Sequence, residues 1–505
     1  MRFPSTKISL CFFNKLLYNV TVFQGGMYMN KYDYIIIGAG PSGIFFAYEL
    51  IKLGSKKKIL MIEQGKKVED RYCPIEKTGK CMKCKPLCHI TNGFSGAGAF
   101  SDGKLSLYNP EDTEIHVGGN LHRYLGIEKT KELIDYTDKI YLEYGADPKI
   151  EGVAFKEEVS QIKEKAKKYN ITLFDVPVRH LGTEKAHELY QKLQNFLLEH
   201  GVEIQFNTVV ADLIVTDNCI QGVKTKPANY VEDTEYAELS EIYGDKVIIG
   251  VGRKGANWLS DMCAKHQIQS RAGIVDIGIR YELPDKFMAD VNQYMYEAKF
   301  VARPAPYYDK VRTFCQNPSG FVSTEVYDKN ITLANGHSYK DKKSTNTNLA
   351  LLVSHNFTYP FNEPIKYGRN VAENSNQLGN GNVLVQRLGD ILNGRRTWEK
   401  DLENNSVIPT QKSAVAGDIT YALGYRTMTN ILEFIKMLEN VIPGFAHPDN
   451  LLYSPEIKFY SNQVKIDNNF ETSIKNLYSI GDGGGLTRGL MMASCSGVHL
   501  ARILN

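Results

Sequence analysis

The sequence lacks any apolar run long enough to cross a bilayer, and it has little excess charge of either sign. A spanning helix needs about 20 consecutive apolar residues, and Lys and Arg number 60 against 57 Asp and Glu. A net charge of +3 is too small to favour nucleic acid or a membrane surface as partner. With 505 residues, 43% of them apolar, the chain predicts a cytoplasmic protein of two or three domains.

A convincing targeting signal is also missing from the N-terminus. Residues 1–26 are basic and apolar, but Asn14 and Lys15 interrupt the apolar stretch, and no small-residue cleavage site follows it. Met27 and Met29 stand just before the first predicted strand. We therefore expect residues 1–30 to be a disordered extension or the product of a mis-assigned start, in preference to a targeting segment.

What the sequence does contain is a glycine turn between a short apolar strand and a helix, in Tyr34-Ile-Ile-Ile-Gly-Ala-Gly-Pro-Ser-Gly43. The first glycine permits the tight turn, the second lets the backbone approach a pyrophosphate, and the third lets helix and strand pack closely. Free N–H groups at the helix N-terminus would bind the pyrophosphate. The predicted dinucleotide-binding residues are Gly38, Gly40, Pro41, Ser42 and Gly43.

An acidic residue follows at the distance that this motif requires. A second apolar run, Lys58–Glu63, ends in a carboxylate twenty residues after Gly43. There Glu63 can accept hydrogen bonds from a ribose. The motif predicts a dinucleotide, and by itself it leaves NAD and FAD open.

A second glycine turn of this kind is absent. Gly96-Ala-Gly98 has the glycines but no apolar strand before it, so a nicotinamide would lack a dedicated Rossmann domain. No internal repeat is present either.

The C-terminal motif Tyr478-Ser-Ile-Gly-Asp-Gly-Gly-Gly-Leu-Thr-Arg-Gly489 favours FAD. FAD is long, and its ribityl chain and ring system need a second anchor beyond the pyrophosphate. Asp482 can bind a ribityl hydroxyl, and the N-terminus of the last helix can direct its partial positive charge at the flavin N1/C2=O edge. The predicted residues of this anchor are Gly481, Asp482, Gly485 and Leu486.

Over residues 31–505 the chain resembles a bacterial family of FAD-dependent dehydrogenases or oxidoreductases, mostly uncharacterised, among the flavoproteins with two dinucleotide folds. The resemblance is carried by the two motifs above and by Gly93–Lys104, Arg179–Thr183 and Gly250–Trp258. It implies an α/β fold: a Rossmann-like FAD-binding domain, discontinuous in sequence, with an inserted mixed α+β substrate domain. It implies no particular substrate.

The resemblance adds further candidate residues for FAD. In the loop Gly93–Lys104, glycines would let the backbone approach the cofactor, and serine and lysine side chains offer donors. After the third predicted strand, backbone groups near Val210 would hold the adenine. The added candidates are Gly96, Gly98, Ser101, Lys104, Val210 and Gly252.

Strand and helix patterns divide the chain between the two domains. The FAD-binding domain is predicted in three parts, and a helical connection and the inserted domain separate them. The predicted ranges are 31–110 with a Cys-rich loop at 71–92, a connection at 111–180, then 181–262, the inserted domain 263–465, and 466–505.

Four of the nine cysteines lie together, spaced C-x7-C-x2-C-x3-C at Cys73, Cys81, Cys84 and Cys88. Four thiolates can bind zinc or an iron–sulfur cluster, and we favour such a metal site. A redox-active Cys81/Cys84 dithiol, a structural disulfide and unrelated free thiols are the alternatives. Because the cluster ends five residues before Gly93, we hypothesise an electron relay to the flavin.

The catalytic residues are the least determined part. His180, Lys104 and Arg312 are the candidates, and Arg312 could bind a substrate carboxylate or phosphate. The predicted function is hydride transfer between flavin and a small organic substrate, with NAD(P)H or a ferredoxin-like protein as electron donor. A flavin-dependent RNA-modifying enzyme and a monooxygenase are the alternatives, although the small net charge gives little support to RNA.

Overall fold

The structure is a computed structural model of the chain. It describes residues 31–74, 84–100, 103–110, 114–228, 239–271, 273–295, 297–327, 331–338, 342–358, 360–361, 363–459 and 463–505. The predicted extension 1–30 and two candidate site residues, Cys81 and Ser101, lie outside these ranges.

The strands of the described residues are numbered in chain order. They are β1 Tyr32–Ile37, β2 Ile59–Ile62, β3 Lys104–Ser106, β4 Thr172–Asp175, β5 Val178–His180, β6 Glu203–Gln205, β7 Thr208–Thr216, β8 Cys219–Pro227, β9 Ser240–Ile249, β10 Ser270–Arg271, β11 Val275–Pro284, β12 Ala298–Ala302, β13 Val311–Asn317, β14 Phe321–Tyr327, β15 Ile331–His337, β16 Asn346–His355, β17 Leu384–Arg387, β18 Val415–Ala416, β19 Leu451–Phe459, β20 Gln463–Val464 and β21 Leu477–Ser479.

The α-helices are numbered in the same way. They are α1 Pro41–Lys52, α2 Leu121–Leu125, α3 Ile127–Glu143, α4 Lys156–Lys168, α5 Thr183–Glu199, α6 Ala256–Lys265, α7 Asp285–Asn292, α8 Pro364–Leu378, α9 Leu388–Leu392, α10 Glu399–Glu403, α11 Tyr425–Glu439 and α12 Leu490–Leu504. In the described part of the chain, none of these helices combines the length and the hydropathy that crossing a membrane requires.

The first sheet is a Rossmann-like sheet, and this confirms the predicted α/β fold class. Its parallel part runs in the order β6-β2-β1-β9-β21, and β7 and β8 continue it as an antiparallel meander through the first half of β9. The chain reaches these strands from widely separated segments, since β1 and β21 lie more than 400 residues apart. Parallel strands place their carboxyl ends at one edge, where ligands bind in open α/β sheets.

Two glycines allow helices to pack closely at this edge. A Cβ atom on Gly43 of α1 would lie 2.4 Å from the carbonyl oxygen of Gly38, and one on Gly497 of α12 would lie 2.2 Å from the carbonyl oxygen of Ser42. Real Cβ atoms do not approach backbone oxygens so closely. The last helix therefore packs on the first, and the two ends of the described chain meet beside the glycine turn.

The second sheet has eight strands in the order β18-β17-β19-β11-β16-β13-β12-β4. Residues 263–465, where the sequence suggests mixed strands and long loops, supply all of them except β4. The edge strand β4 comes from the range predicted as a helical connection, and it joins this sheet by pairing with β12. Its apolar residue Leu173 belongs to the buried core of this sheet. The helical pattern of the surrounding residues does not predict this strand.

The two faces of the second sheet differ sharply. Along β11, Ile277, Ile279 and Tyr281 enter an apolar core, because alternate residues of a strand point to opposite faces. Polar residues of the same strand, such as Asp276 and Arg280, face the opposite side. We call that side, which also carries Lys299 and Arg312, the polar face. The registers of β11, β16, β13 and β12 put these four residues on that one side.

Part of the polar face is closed by the hairpin β14–β15. Arg280 and Glu456 are fully buried there, and two hydrogen bonds of 2.7 and 2.8 Å join the guanidinium to the carboxylate. Asn335 of the hairpin accepts a further bond of 3.3 Å from Arg280. A buried charge needs such partners, so this part of the face is structural.

Candidate functional site: a flavin cradle at the sheet edge

Three parallel strands end around the side chain of Ser42, the second residue of α1. The Ser42 hydroxyl donates a 3.2 Å hydrogen bond to the carbonyl oxygen of Gly250, just after β9. On the other side, a Cβ atom on Gly481 would lie 2.6 Å from Ser42 Oγ, and φ at Gly481 is +75°. Both the space and the backbone conformation there require glycine. The two motifs predicted to bind FAD are thus in contact.

We call the predicted FAD site, formed by the glycine turn after β1, the loop that begins at Gly93 and the Gly481–Asp482 turn, the cradle. Glu63 connects the first two of these segments. Its Oε2 atom accepts a 3.0 Å bond from the N–H of Ala39, and its Oε1 atom accepts bonds of 2.9 Å from the N–H groups of Gly65 and Gly93. The side chain is only 6% exposed. A carboxylate has about four lone-pair positions, so one position on Oε2 remains for the ribose hydroxyl that the sequence predicts. Glu63 also joins the glycine turn to the loop at residue 93, which the sequence does not reveal.

The loop after Gly93 lies over the glycine turn. The N–H of Ser95 donates a 2.7 Å bond to the carbonyl oxygen of Ala39, and a Cβ atom on Gly96 would lie 3.9 Å from the Cα atom of Gly40. Gly98 is packed against the Tyr190 ring and Leu490 at the start of α12. The predicted loop glycines are therefore beside the predicted pyrophosphate site.

Arg71 is a site residue that sequence reasoning missed. Its side chain is 3% exposed, and it donates bonds of 2.8, 2.9 and 2.6 Å to the carbonyl oxygens of His89, Ile90 and Gly96. It also contacts Ser95 Oγ at 3.2 Å. Burial lowers its pKa to about 10. The sequence shows only that an arginine stands at the start of the Cys-rich loop. Its partners are backbone carbonyl oxygens, which every residue carries, so the sequence does not indicate which of them Arg71 binds.

A test of Arg71 is its replacement by lysine, which keeps the charge and loses the planar set of donors. We expect FAD to bind about tenfold or more weakly, the equivalent of one lost buried hydrogen bond of about 1–3 kcal/mol. Amides of residues 93–98 should exchange hydrogen faster. Lys67→Ala, at an exposed lysine paired with Glu69, is the control. Unchanged FAD affinity in Arg71→Lys would contradict this role.

Asp482 organises the C-terminal loop and the start of α12. Its Oδ1 atom accepts a 2.8 Å bond from the Thr487 hydroxyl, and Oδ2 accepts a 3.0 Å bond from the N–H of Gly489. Burial raises the pKa of this carboxyl, and Arg253 is the largest of the opposing contributions. In the same loop, the N–H of Gly485 donates a 3.1 Å bond to the carbonyl oxygen of Asp482.

The remaining FAD candidates border the same edge. Val210 is buried in β7, whose first residue Thr208 donates a 3.0 Å backbone bond to Glu63. Leu486 is buried, and its carbonyl oxygen accepts a 2.8 Å bond from the N–H of Asn120. Pro41 is the first residue of α1. Among the described residues no side chain caps the N-terminus of this helix, so its first N–H groups face the sheet edge without a capping side chain.

Two glycines of the predicted FAD site have room for a larger side chain. Gly252 has an ordinary φ of −85°, and among the described residues outside its chain neighbours no heavy atom lies within 4 Å of a Cβ built there. Gly40 has φ of −81°, and its Cβ would meet only the Gly250 oxygen at 3.9 Å. Neither conformation nor protein packing requires glycine at these positions. Close approach of a ligand does, as the dinucleotide motif predicts.

Two of the three candidate catalytic residues are neighbours, and the third lies on the second sheet. Lys104 pairs directly with His180 across β3 and β5, so their side chains share a face of that ladder. Lys104 Nζ lies 3.8 Å from a carboxylate oxygen of Glu297, at the start of β12. Arg312 lies on the polar face and donates a 2.8 Å bond to Asp276, which is 1% exposed.

The Cys-rich loop gives no support to a metal centre. Among the described residues Cys84 and Cys88 form no disulfide, and no three His, Cys, Asp or Glu side chains are grouped there as metal ligands. Because Cys81 lies outside those ranges, the four-cysteine site stays a prediction.

The family comparison decides between the cofactors that the cradle fits. Residues 275–458 match a family model described as FAD-dependent protein, C-terminal domain-like. This part of the chain is thus similar to the C-terminal domain of FAD-dependent proteins. The match confirms the predicted family, its cofactor FAD and, with it, the predicted class of FAD-dependent oxidoreductases.

Similar proteins extend over most of the chain. An uncharacterised protein of Clostridium beijerinckii is 23% identical over 487 residues, which are 92% of this chain and 79% of that protein. L-proline dehydrogenase from P. horikoshii is 12% identical with a TM-score of 0.36, covering 94% of each chain. Glycine oxidase from Bacillus cereus is 12% identical with a TM-score of 0.33, covering 94% of this chain and 97% of that one. Likeness at this level says nothing about the substrate.

Proposed function

We propose that this FAD-dependent protein oxidises or reduces a small organic molecule in the space between the cradle and the polar face. Bound FAD supplies the two-electron chemistry: the substrate loses a hydride and a proton to it, or gains them in the reverse direction. The chain positions the cofactor and the substrate.

One observation carries the proposal. The glycine turn after β1, the glycines after β9 and the Gly481–Asp482 turn after β21 surround one side chain, Ser42. A nicotinamide dinucleotide needs only the first of these, whereas FAD needs an anchor at both of its ends. One extended FAD molecule would therefore reach from Glu63, at the ribose of its ADP half, to Asp482, at its ribityl chain.

The position of the substrate follows from the loop that carries Asp482. Arg488, on the same loop, contributes to the electrostatic environment of Asp482 and also to that of Lys299 and Lys310. Lys299 belongs to the polar face, and Lys310 precedes β13. The end of the cradle at Asp482, where the flavin ring would bind, is thus directed at the second sheet. This is expected where an inserted domain covers the reacting end of a cofactor.

The first test is anaerobic purification with an absorption spectrum. We expect stoichiometric FAD with its visible bands, either retained or regained after FAD is added. Asp482→Ala should lower FAD affinity about tenfold or more, since a buried charged acceptor is lost. Asp467→Ala, at a carboxylate of the loop before β21 that caps its own turn, is the matched control. A protein that binds no FAD under any of these conditions contradicts the proposal.

The same preparation distinguishes the electron donors and the alternatives. Rapid anaerobic bleaching by NADH or NADPH supports a nicotinamide donor, and bleaching only by reduced ferredoxin supports a ferredoxin-like one. Slow reoxidation in air after bleaching disfavours a monooxygenase. Specific binding of tRNA would support the RNA-modifying alternative. Iron and zinc analysis tests the predicted site of Cys73, Cys81, Cys84 and Cys88.

A further inference from the structure

Lys299 is a half-buried residue of the polar face that sequence reasoning did not select. Its neighbours along β12, Ala298 and Phe300, are buried in the apolar core, so Lys299 points to the other side. Val301, two residues further on, pairs with Arg312 of β13. Lys299 and Arg312 are therefore diagonal neighbours on one face, about 7–8 Å apart at Cα.

A single loop connects Lys299 to the flavin end of the cradle. Lys299 Nζ lies 3.5 Å from the carbonyl oxygen of His116. Two residues along, a Cβ atom on Gly118 would lie 2.7 Å from the carbonyl oxygen of Arg488, and Gly119 forms a β-bridge with Thr487. The Thr487 hydroxyl is bonded to Asp482. The loop at residues 116–119 therefore contacts both Lys299 and the segment that holds Asp482, the residue predicted to bind the ribityl chain.

Cations outnumber acids around Lys299. Among the described residues, Arg312, Lys310 and Arg488 raise the local positive potential at its ammonium group, and Glu297 opposes them. The Arg312 guanidinium is held by Asp276, whereas the hydrogen bond that Lys299 donates among the described residues goes to a neutral carbonyl oxygen. Burial, and after it Arg312, lower the pKa of Lys299 to about 8. Unfavourable placement of like charges is typical of functional sites.

We propose that Lys299, together with Arg488 and Lys310, binds an oxyanion of the substrate, a carboxylate or a phosphate, against the polar face. The proposal rests on the proposed function and names the substrate class for it. An anion at this position would lower the electrostatic cost of the three cations, and Lys299 would supply a charge-assisted hydrogen bond. Arg312, held by Asp276, would position the site without contacting the anion.

The test uses FAD-loaded protein and three probes of similar size: benzoate, phenyl phosphate and neutral benzamide. Calorimetry measures affinity, and the change in the flavin absorption bands reports binding beside the cofactor. We expect the better anion to bind about ten- to a hundredfold more tightly than benzamide, the value of one hydrogen bond to a charged group. Whichever of benzoate and phenyl phosphate binds more tightly identifies the oxyanion.

Variants of Lys299 test whether this residue causes the preference for anions. Lys299→Met should remove the preference for anions and leave the FAD spectrum intact, and Lys299→Arg should retain the preference. Lys436→Met is the control, since Lys436 lies on α11, which packs on the apolar side of the sheet, and pairs there with Glu433 at 2.7 Å. Equal binding of benzoate, phenyl phosphate and benzamide, or unchanged anion binding in Lys299→Met, would overturn the proposal. A preparation without flavin would instead overturn the proposed function.

The pH dependence provides a further readout. Anion affinity should fall as the pH rises through about 8, where Lys299 loses its proton, and Lys299→Arg should remove this fall because arginine stays protonated. The charged groups that act on Lys299 among the described residues are Glu297 on its own segment, Lys310 and Arg312 from β13 and its approach, and Arg488 from the C-terminal loop. His116 of the connecting loop contacts it through its backbone oxygen. A wild-type affinity that is flat between pH 6 and 10 would contradict the role of Lys299.

Discussion

Glu63→Ala should release FAD and lower the free energy of unfolding by about 3 kcal/mol or more. The carboxylate accepts hydrogen bonds from the N–H groups of Ala39, Gly65 and Gly93, and each unpaired buried donor costs about 1–3 kcal/mol. The three donors belong to the glycine turn, to the segment after β2 and to the loop over the cradle. Their loss therefore damages the cofactor site in three places as well as removing the predicted ribose acceptor.

Denaturant titration and the flavin content after gel filtration measure the two effects. Glu63→Gln should give an intermediate result, because an amide keeps one acceptor oxygen and turns an N–H toward at least one of the former donors. Glu203→Ala is the matched control: Glu203 lies on the neighbouring strand β6, is exposed, and accepts one bond of 2.6 Å from the Tyr32 hydroxyl. Full retention of FAD by Glu63→Ala would show that Glu63 is not part of the site.

Gly43→Ala should weaken FAD binding severely and destabilise the protein, although alanine favours helices. In an unconstrained helix this exchange gains about 1 kcal/mol. Here the added Cβ would lie 2.4 Å from the Gly38 oxygen and 2.9 Å from Cγ2 of Ile36. Overpacking of this kind costs about 1–3 kcal/mol and sometimes more. To relieve it, α1 must move away from β1, and its N-terminal amides then lose their position at the pyrophosphate.

Thermal unfolding with and without FAD separates the two consequences of Gly43→Ala. The stabilisation that added FAD gives to the wild type should be mostly absent, because ligand stabilisation depends on affinity for the folded state. Lys52→Ala, on the exposed end of the same helix, is the control for helix propensity. An alanine variant at Gly43 that is more stable than the wild type and holds FAD normally would contradict the close packing of α1.

Much of the cofactor site could be predicted because its signals are local. The turn from β1 into α1 requires glycines at fixed spacing, and the chain needs only ten residues to specify it. The Gly481–Asp482 turn is equally local. The structure then added partners that no spacing shows: Gly93, some thirty residues on, donates to Glu63, and Gly481 requires glycine because of Ser42.

The substrate side was much less predictable. Arg312 was selected as an anion-binding candidate from its residue type, but its guanidinium is bonded to Asp276, and nothing in the sequence around either residue indicates that pairing. Lys299 lies in a strand whose alternation of small and large residues is unremarkable as a pattern. Its importance comes from the pairing of β12 with β13 and from the loop at His116, segments far apart in the chain.

The sequence by itself determined the cofactor class and the place where the chain binds it. A strand, a glycine turn and a helix are specified by neighbouring residues, whose conformational preferences act over a few positions. Only the tertiary structure decided that Arg312 meets Asp276 on the polar face, that Arg71 holds the loop over the glycine turn, and that Lys299 contacts the loop at His116. Those contacts depend on strand register and on packing between distant segments, and their energies appear only when the chain is folded.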